Sequence, residues 1–166
     1  MTNVLKESPS HWGPIPNLGT NDSDSSLRKH FEAATEQRVC LPWCTECENW
    51  RWPLRSACIH CQGSYFEWRD VNSVGRLLTY TEVRKRFYEG LDDATYLLCV
   101  TELENGAVRM LGRLRMNSGE VPQLDMKVKA FFHHTNSSVT LIGWEPFPRL
   151  SDSQPKTQPS THHADV

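Results

Sequence analysis

The sequence predicts a mainly β protein: a short N-terminal helix, a four-cysteine ribbon, then a small closed barrel. Three observations predict it. Two Cys-x-x-Cys pairs, Cys44/Cys47 and Cys58/Cys61, stand with ten residues between them. Past Tyr65 the apolar residues recur every second position, the period of half-buried strands. Asn, Gly, Asp and Ser clusters break that pattern at short intervals, as turns between short strands do.

At 166 residues the chain has room for one ordinary domain, and its 38% apolar residues suffice for one core. The formal net charge is −2 and the pI about 6.4, so no overall field favours nucleic acid or an anionic membrane. No apolar run approaches the roughly 18 residues of a membrane span. The first residues, "MTNVLKESPSHWGPIPNLG", lack the apolar core of a secretory signal. The expectation is a cytoplasmic, reduced setting, where paired cysteines bind metal more often than they form disulfides.

Residues 1–25 are rich in Pro, Ser, Asn, Asp and Gly without any period, and read as a flexible arm carrying Trp12 and Ile15. Residues 26–38 read as a helix, capped by Ser25 or Ser26, with Leu27, Phe31 and Ala34 on its apolar face. Neither serine has Glu or Gln three residues on, so there is no capping box. Residues 39–64 hold the cysteine ribbon and 65–146 the barrel. Within the barrel, "RLLTYTEV" from Arg76 and "TYLLCVTEL" from Thr95 have strand composition. "AVRMLGRLRM" alternates, with Val108, Met110, Leu114 and Met116 facing one way and Arg109, Arg113 and Arg115 the other. Asn105-Gly106 predicts a type I′ hairpin turn. "MKVKAFFHH" and "SVTLIGW" alternate again, with a turn at Asn136-Ser137. Five short strands with two longer connections suit an OB-fold. Residues 147–166 are polar and read as a disordered tail.

Four thiolates converging on one ion fit tetrahedral zinc, and two Cys-x-x-Cys turns can supply them. The predicted ligands are Cys44, Cys47, Cys58 and Cys61. Four protein ligands leave no position for water or substrate, so the zinc is structural. Iron is the rival, because a rubredoxin-like electron carrier uses the same donor set. Rubredoxin turns carry Gly after the second Cys, where this chain has Glu48 and Gln62; Asn49 and Gly63, one residue later, are the candidates for the left-handed turn. Cys40 and Cys99 read as core residues, since nothing nearby would make either a nucleophile.

His133-His134 read as solvated, and His162-His163 lie in the tail. Arg84, Lys85 and Arg86, with Arg109, Arg113, Arg115, Lys127 and Lys129, form either a solvated outer face or an anion site for the phosphates of a nucleotide or coenzyme A. Glu82, Glu89, Asp92, Asp93, Glu102 and Glu104 are interspersed and weaken any polyanion track. Trp43, Trp50, Trp52 and Trp68 surround the cysteines and could cover the metal, stack on an adenine, or anchor a protein interface. No phosphate loop, nucleophile elbow, zinc-protease or dinucleotide motif is present. Zinc ribbons and OB-folds also bind single-stranded nucleic acid, and that alternative stands against the acidic net charge.

This order of parts resembles the family known as domain of unknown function thirty-five, a zinc ribbon joined to an OB-fold. The resemblance spans about Leu27 to Trp144. "HFEAATEQRVCLPWCTEC" is similar to the family's helix and first knuckle, and "WPLRSACIHCQGS" to its approach to the second. "VGRLLTYTEVRKR" resembles its Gly-started first barrel strand, and "LDMKVKAFF" a late barrel strand. Glu48 and Ile59 stand where the family often has Gly and Pro. The resemblance implies a non-catalytic accessory subunit of a thiolase-superfamily, CoA-dependent enzyme. Aldolases of steroid side-chain degradation are the favoured case; thiolases and acyltransferases are the others. It further implies a hetero-oligomer, whose accessory subunit in some members contacts the acyl-CoA; on this chain Arg84, Lys85, Arg86 and Arg113 of the basic face are the candidate phosphate contacts.

Overall fold

The computed structural model describes residues 27–84, 95–134 and 139–147. Helix α1 is Arg28–Thr35, with Leu27 at its N-cap position and no side-chain cap bond. Ser25 and Ser26, the expected caps, lie outside the described residues. The helix ends through Gln37, whose φ is 59°. The N–H of Gln37 donates to Ala34 O and that of Arg38 to Ala33 O, a Schellman closure made without glycine.

The buried face of α1 differs from the expected one. His30, Ala33 and Ala34 are buried, while Leu27 and Phe31 are only half-buried. A tertiary bond turns the helix this way: His30 Nδ1 lies 2.8 Å from Cys40 O. A carbonyl only accepts, so Nδ1 carries the hydrogen. The imidazole also packs 4.7 Å from the Trp52 ring.

Burial lowers the His30 pKa below its ordinary 6.5, against the opposing pull of the Cys40 carbonyl. The folded chain therefore binds fewer protons than the unfolded one just below pH 6.5. This stabilisation is complete above that pH and is lost as pH falls toward the folded-state value. His133 is lowered in the same direction, by desolvation and then by Arg113. Urea midpoints should fall from pH 7.5 to pH 5.5, and His30→Gln should flatten that slope. An unchanged slope in the variant removes His30 as a source.

Strands β1 (Val39–Cys44) and β2 (Phe66–Val71) form a two-stranded antiparallel sheet, in register from Val39↔Val71 to Cys44↔Phe66. The segment that the sequence places in the barrel from residue 65 thus opens with a ribbon strand, and barrel strands start at Val74. They are β3 (Val74–Val83), β4 (Tyr96–Leu103), β5 (Val108–Leu114), β6 (Lys127–His134) and β7 (Thr140–Pro146). The barrel closes in the order β3-β4-β5-β7-β6, with β6 returning to β3. Its pairs are antiparallel except β5–β7, which meet in parallel at Leu114↔Trp144. This is the OB-fold connectivity.

Alternation along β5 follows the pattern expected: Val108, Met110 and Leu114 point inward with Leu77, Leu103, Val128 and Trp144. Val39, Leu41 and Val71 of the ribbon sheet belong to the same cluster, so barrel and ribbon share one core. Gly75 lets β3 start against β4, since a Cβ there would sit 2.5 Å from Glu102 O. The Asn105-Gly106 turn is longer than expected. Leu103 pairs with Val108, and the residues between form a 3-10 turn with positive φ at Glu104, Asn105 and Gly106. The Glu104 carboxylate accepts the Asn72 N–H at 2.9 Å, a tertiary bond that draws the turn toward β2. Asn136-Ser137 lies outside the described residues. Among the described residues, no helix is long and apolar enough to cross a membrane.

Candidate metal centre

Each Cys-x-x-Cys turn is closed by the same pair of backbone bonds. Cys44 N–H donates to Asn49 O and Glu48 N–H to Cys44 O; Cys58 N–H donates to Gly63 O and Gln62 N–H to Cys58 O. This repeat forces a left-handed residue after each second cysteine. Those residues are Glu48 (φ 55°) and Gln62 (φ 64°), rather than Asn49 and Gly63 as the sequence suggests. A side chain in that region costs about 1–3 kcal/mol, which the surrounding structure offsets.

The two turns face each other. Cys44 Sγ and Cys61 Sγ are 3.7 Å apart, Cys47 Sγ and Cys58 Sγ 3.6 Å, and all four sulfurs lie within 4.8 Å of one another. A tetrahedron with metal–sulfur arms of about 2.3 Å has edges of about 3.8 Å. The donor set therefore has the spacing of a four-thiolate metal site, and these four cysteines could hold a metal ion.

The thiols' acidities agree. Cys58 is pushed down to about 6 by the His60 and Cys61 N–H groups, while desolvation opposes. Cys61 is pushed up to about 12; the Gly63 N–H pulls it down, but desolvation and the three neighbouring sulfurs outweigh that. Cys47 is raised, chiefly by desolvation. Thiols crowded this closely resist ionising together, and a divalent ion between them removes the conflict. Cys40 and Cys99 are buried apart from this cluster, as expected, and burial pushes Cys99 up to about 11.

The four tryptophans do not form one cluster. Trp43 and Trp50 meet edge to face at 4.8 Å, with Arg69 over the Trp43 ring. Trp52 packs on His30 at the helix, and Trp68 lies beside Phe66 on β2. Tyr65, Ile59 and Phe66 leave an exposed apolar surface on the ribbon. Sequence reasoning passed over Arg51, buried between the two turns, and its only signal was a cation set among aromatics in "WRW".

Of the candidate phosphate contacts, Lys85 and Arg86 lie outside the described residues. Arg84 pairs with Glu82 at 2.5 Å. Arg113 lies 4.1 Å over the ring of Tyr96, the cross-strand partner of Val83, so Arg84 and Arg113 occupy the same end of the barrel. The remaining outer cations are interleaved with carboxylates. Arg115 pairs with Glu145, Lys129 lies 3.9 Å from it, and Arg109 lies 3.9 Å from Glu102. A cleft of about 390 Å³ near β3 is also of mixed sign, since Arg76 there is bonded to Glu102 and Asp125. His134 is exposed, as expected, and its Nδ1 lies 2.8 Å from Thr140 Oγ1, which in turn lies 3.2 Å from Thr35 Oγ1 of α1.

No family model matches the sequence, and no curated protein matches it. Solved structures do match. The structure titled Ltp2-ChsH2(DUF35) aldolase superposes with a TM-score of 0.65 at 20% identity, over 77% of this chain and 98% of that one. The chain has the DUF35 fold. A DUF35 protein of unknown function from Sulfolobus solfataricus superposes with a TM-score of 0.53 at 14% identity, over 76% of this chain and 89% of that one. Within this fold the four cysteines of this chain stand at the end of β1 and in the loop before β2.

Proposed function

We propose that this chain is a zinc-stabilised, non-catalytic accessory subunit of a thiolase-superfamily, CoA-dependent enzyme, with retro-aldol cleavage of a steroid side chain as the favoured reaction. The observation that carries the reading is the near-complete overlap with a DUF35 chain from an aldolase structure, 98% of which is covered. The sulfur geometry supports a structural role for the ion, because four thiolates complete a tetrahedral shell and leave no place for water or substrate. When bound, the ion supplies cross-linking of the two turns. The exposed ribbon surface at Ile59, Tyr65 and Phe66 suits a protein partner. In this reading Arg84, Lys85, Arg86 and Arg113 meet the phosphates of the acyl-CoA held by that partner. Interleaved carboxylates on the barrel disfavour a nucleic-acid track.

Co-expression with a thiolase-like protein from the same genome tests the proposal. The two chains should co-purify, and the larger protein alone should be insoluble or inactive. A partner fully soluble and active alone overturns the accessory role. Steep salt-dependent binding of single strands by this chain would move the assignment to the nucleic-acid alternative.

A further inference from the structure

Arg51 is 3% exposed, and its bonds run to both halves of the cysteine site. Its backbone N–H donates to Pro42 O at 2.9 Å, in β1 just ahead of Cys44. Its guanidinium donates to Arg55 O at 2.7 Å, ahead of Cys58, and to Ser64 O at 3.1 Å and Tyr65 O at 3.5 Å, just past Cys61. The guanidinium carbon lies 4.9 Å from the ring centre of Phe66, the register partner of Cys44. Among the described residues no carboxylate pairs with it, and its Nε is buried without a hydrogen-bond partner. A buried guanidinium whose two terminal nitrogens both donate to backbone carbonyls, on both sides of the second turn, is a geometric tie rather than an ion pair.

The second turn needs such a tie. Residues 58–63 belong to no strand, whereas Cys44 is fixed at the end of β1. The β1–β2 ladder joins the halves only from Cys44↔Phe66 onward; nearer the second turn the backbone link is Thr45 N–H to Tyr65 O at 3.4 Å, with Tyr65 N–H donating to Glu46 Oε1 at 3.4 Å. We propose that Arg51 is a positioning residue for the metal centre, clamping the Cys58/Cys61 turn in register with the Cys44/Cys47 turn. The inference rests on the four cysteines taking a metal. It is independent of any enzyme partner.

The test is cobalt and zinc affinity of the full chain by chelator competition, for the native protein, Arg51→Gln and Arg51→Lys. Groups that orient metal ligands typically contribute 10- to 100-fold to affinity, so both variants should bind about 10- to 100-fold more weakly. Lys keeps the charge but cannot span several carbonyls with one planar fork, so it should not rescue. Cobalt-saturated variants should keep the native four-sulfur absorption spectrum, and thermal unfolding of the barrel should be unmoved; a merely structural Arg51 would shift the unfolding and spare the affinity. If a variant fails to fold, the native metal-loaded protein still decides. Its Arg51 guanidinium N–H signals should exchange slowly with solvent, and rapid exchange overturns the clamp. Native cobalt uptake with equal uptake by both variants overturns the clamp alone. Failure of the native chain to take up cobalt overturns the metal reading and the clamp with it.

Discussion

Cys47→Ala and Cys58→Ala should each abolish stoichiometric zinc and disorder the ribbon between Cys44 and Tyr65. A small structural zinc site contributes an apparent 10–16 kcal/mol at neutral pH, comparable to or larger than the whole stability of an ordinary domain. A three-thiolate remnant opens the fourth position to water and leaves one turn held by a single sulfur. Each turn is closed internally by only two backbone bonds, and each carries a left-handed Glu48 or Gln62 whose strain the closed site must offset. The damage should stop short of the barrel, because Val39, Leu41 and Val71 belong to one core cluster with Leu77 and Trp144, and none of the four clustered cysteines is part of it. Zinc per chain by elemental analysis, with hydrogen exchange on residues 44–65 against 96–114, reads both halves of this result. Stoichiometric zinc in both variants would remove these residues from the ligand set. Loss of protection throughout the barrel would show instead that ribbon and barrel unfold as one unit.

The cysteine spacing was legible because ligand chemistry dictates it: two residues between thiols suffice for both to reach one ion, and no tertiary information is needed. The barrel strands were legible for a similar reason. One face of each meets the core, so Val108, Met110 and Leu114 had to alternate with Arg109 and Arg113. What stayed hidden depends on partners distant in the chain. His30 looks like a surface residue of a polar helix, and only the Cys40 carbonyl and the Trp52 ring explain its burial. Asn105-Gly106 is locally suited to a tight turn, yet the bond from Asn72 to Glu104 draws out a longer one. The left-handed residues of the two turns were misplaced because a propensity argument looks for Asn and Gly. The paired backbone bonds that close each turn put Glu48 and Gln62 there whatever their propensity. Arg51 was invisible because its acceptors are all main-chain carbonyls, which a sequence does not distinguish.

Trp144→Ala should destabilise the barrel by about 3–5 kcal/mol, the usual cost of emptying a large aromatic site in a core. Trp144 is 0% exposed on β7 and sits where the barrel closes, beside Leu114 across the parallel pair and Ala130 across the antiparallel one. Gly112 of β5 makes room for it, since a Cβ there would come within 2.7 Å of the indole Nε1. Neighbouring strands are thus already shaped around the ring and cannot collapse into the space it leaves. At about 2–4 °C per kcal/mol for a chain of this size, the melting temperature should fall by roughly 6–20 °C. Trp144→Phe gives the opposing comparison. The indole N–H is buried without a hydrogen-bond partner, and such a donor costs about 1–3 kcal/mol. Phe retains much of the ring packing and deletes that donor, so its loss should be well under half that of Ala. Melting followed by near-ultraviolet circular dichroism separates the two. An Ala variant that melts within about 2 °C of the native chain would place the centre of the core elsewhere, because a site that can be emptied so cheaply is not closing a barrel.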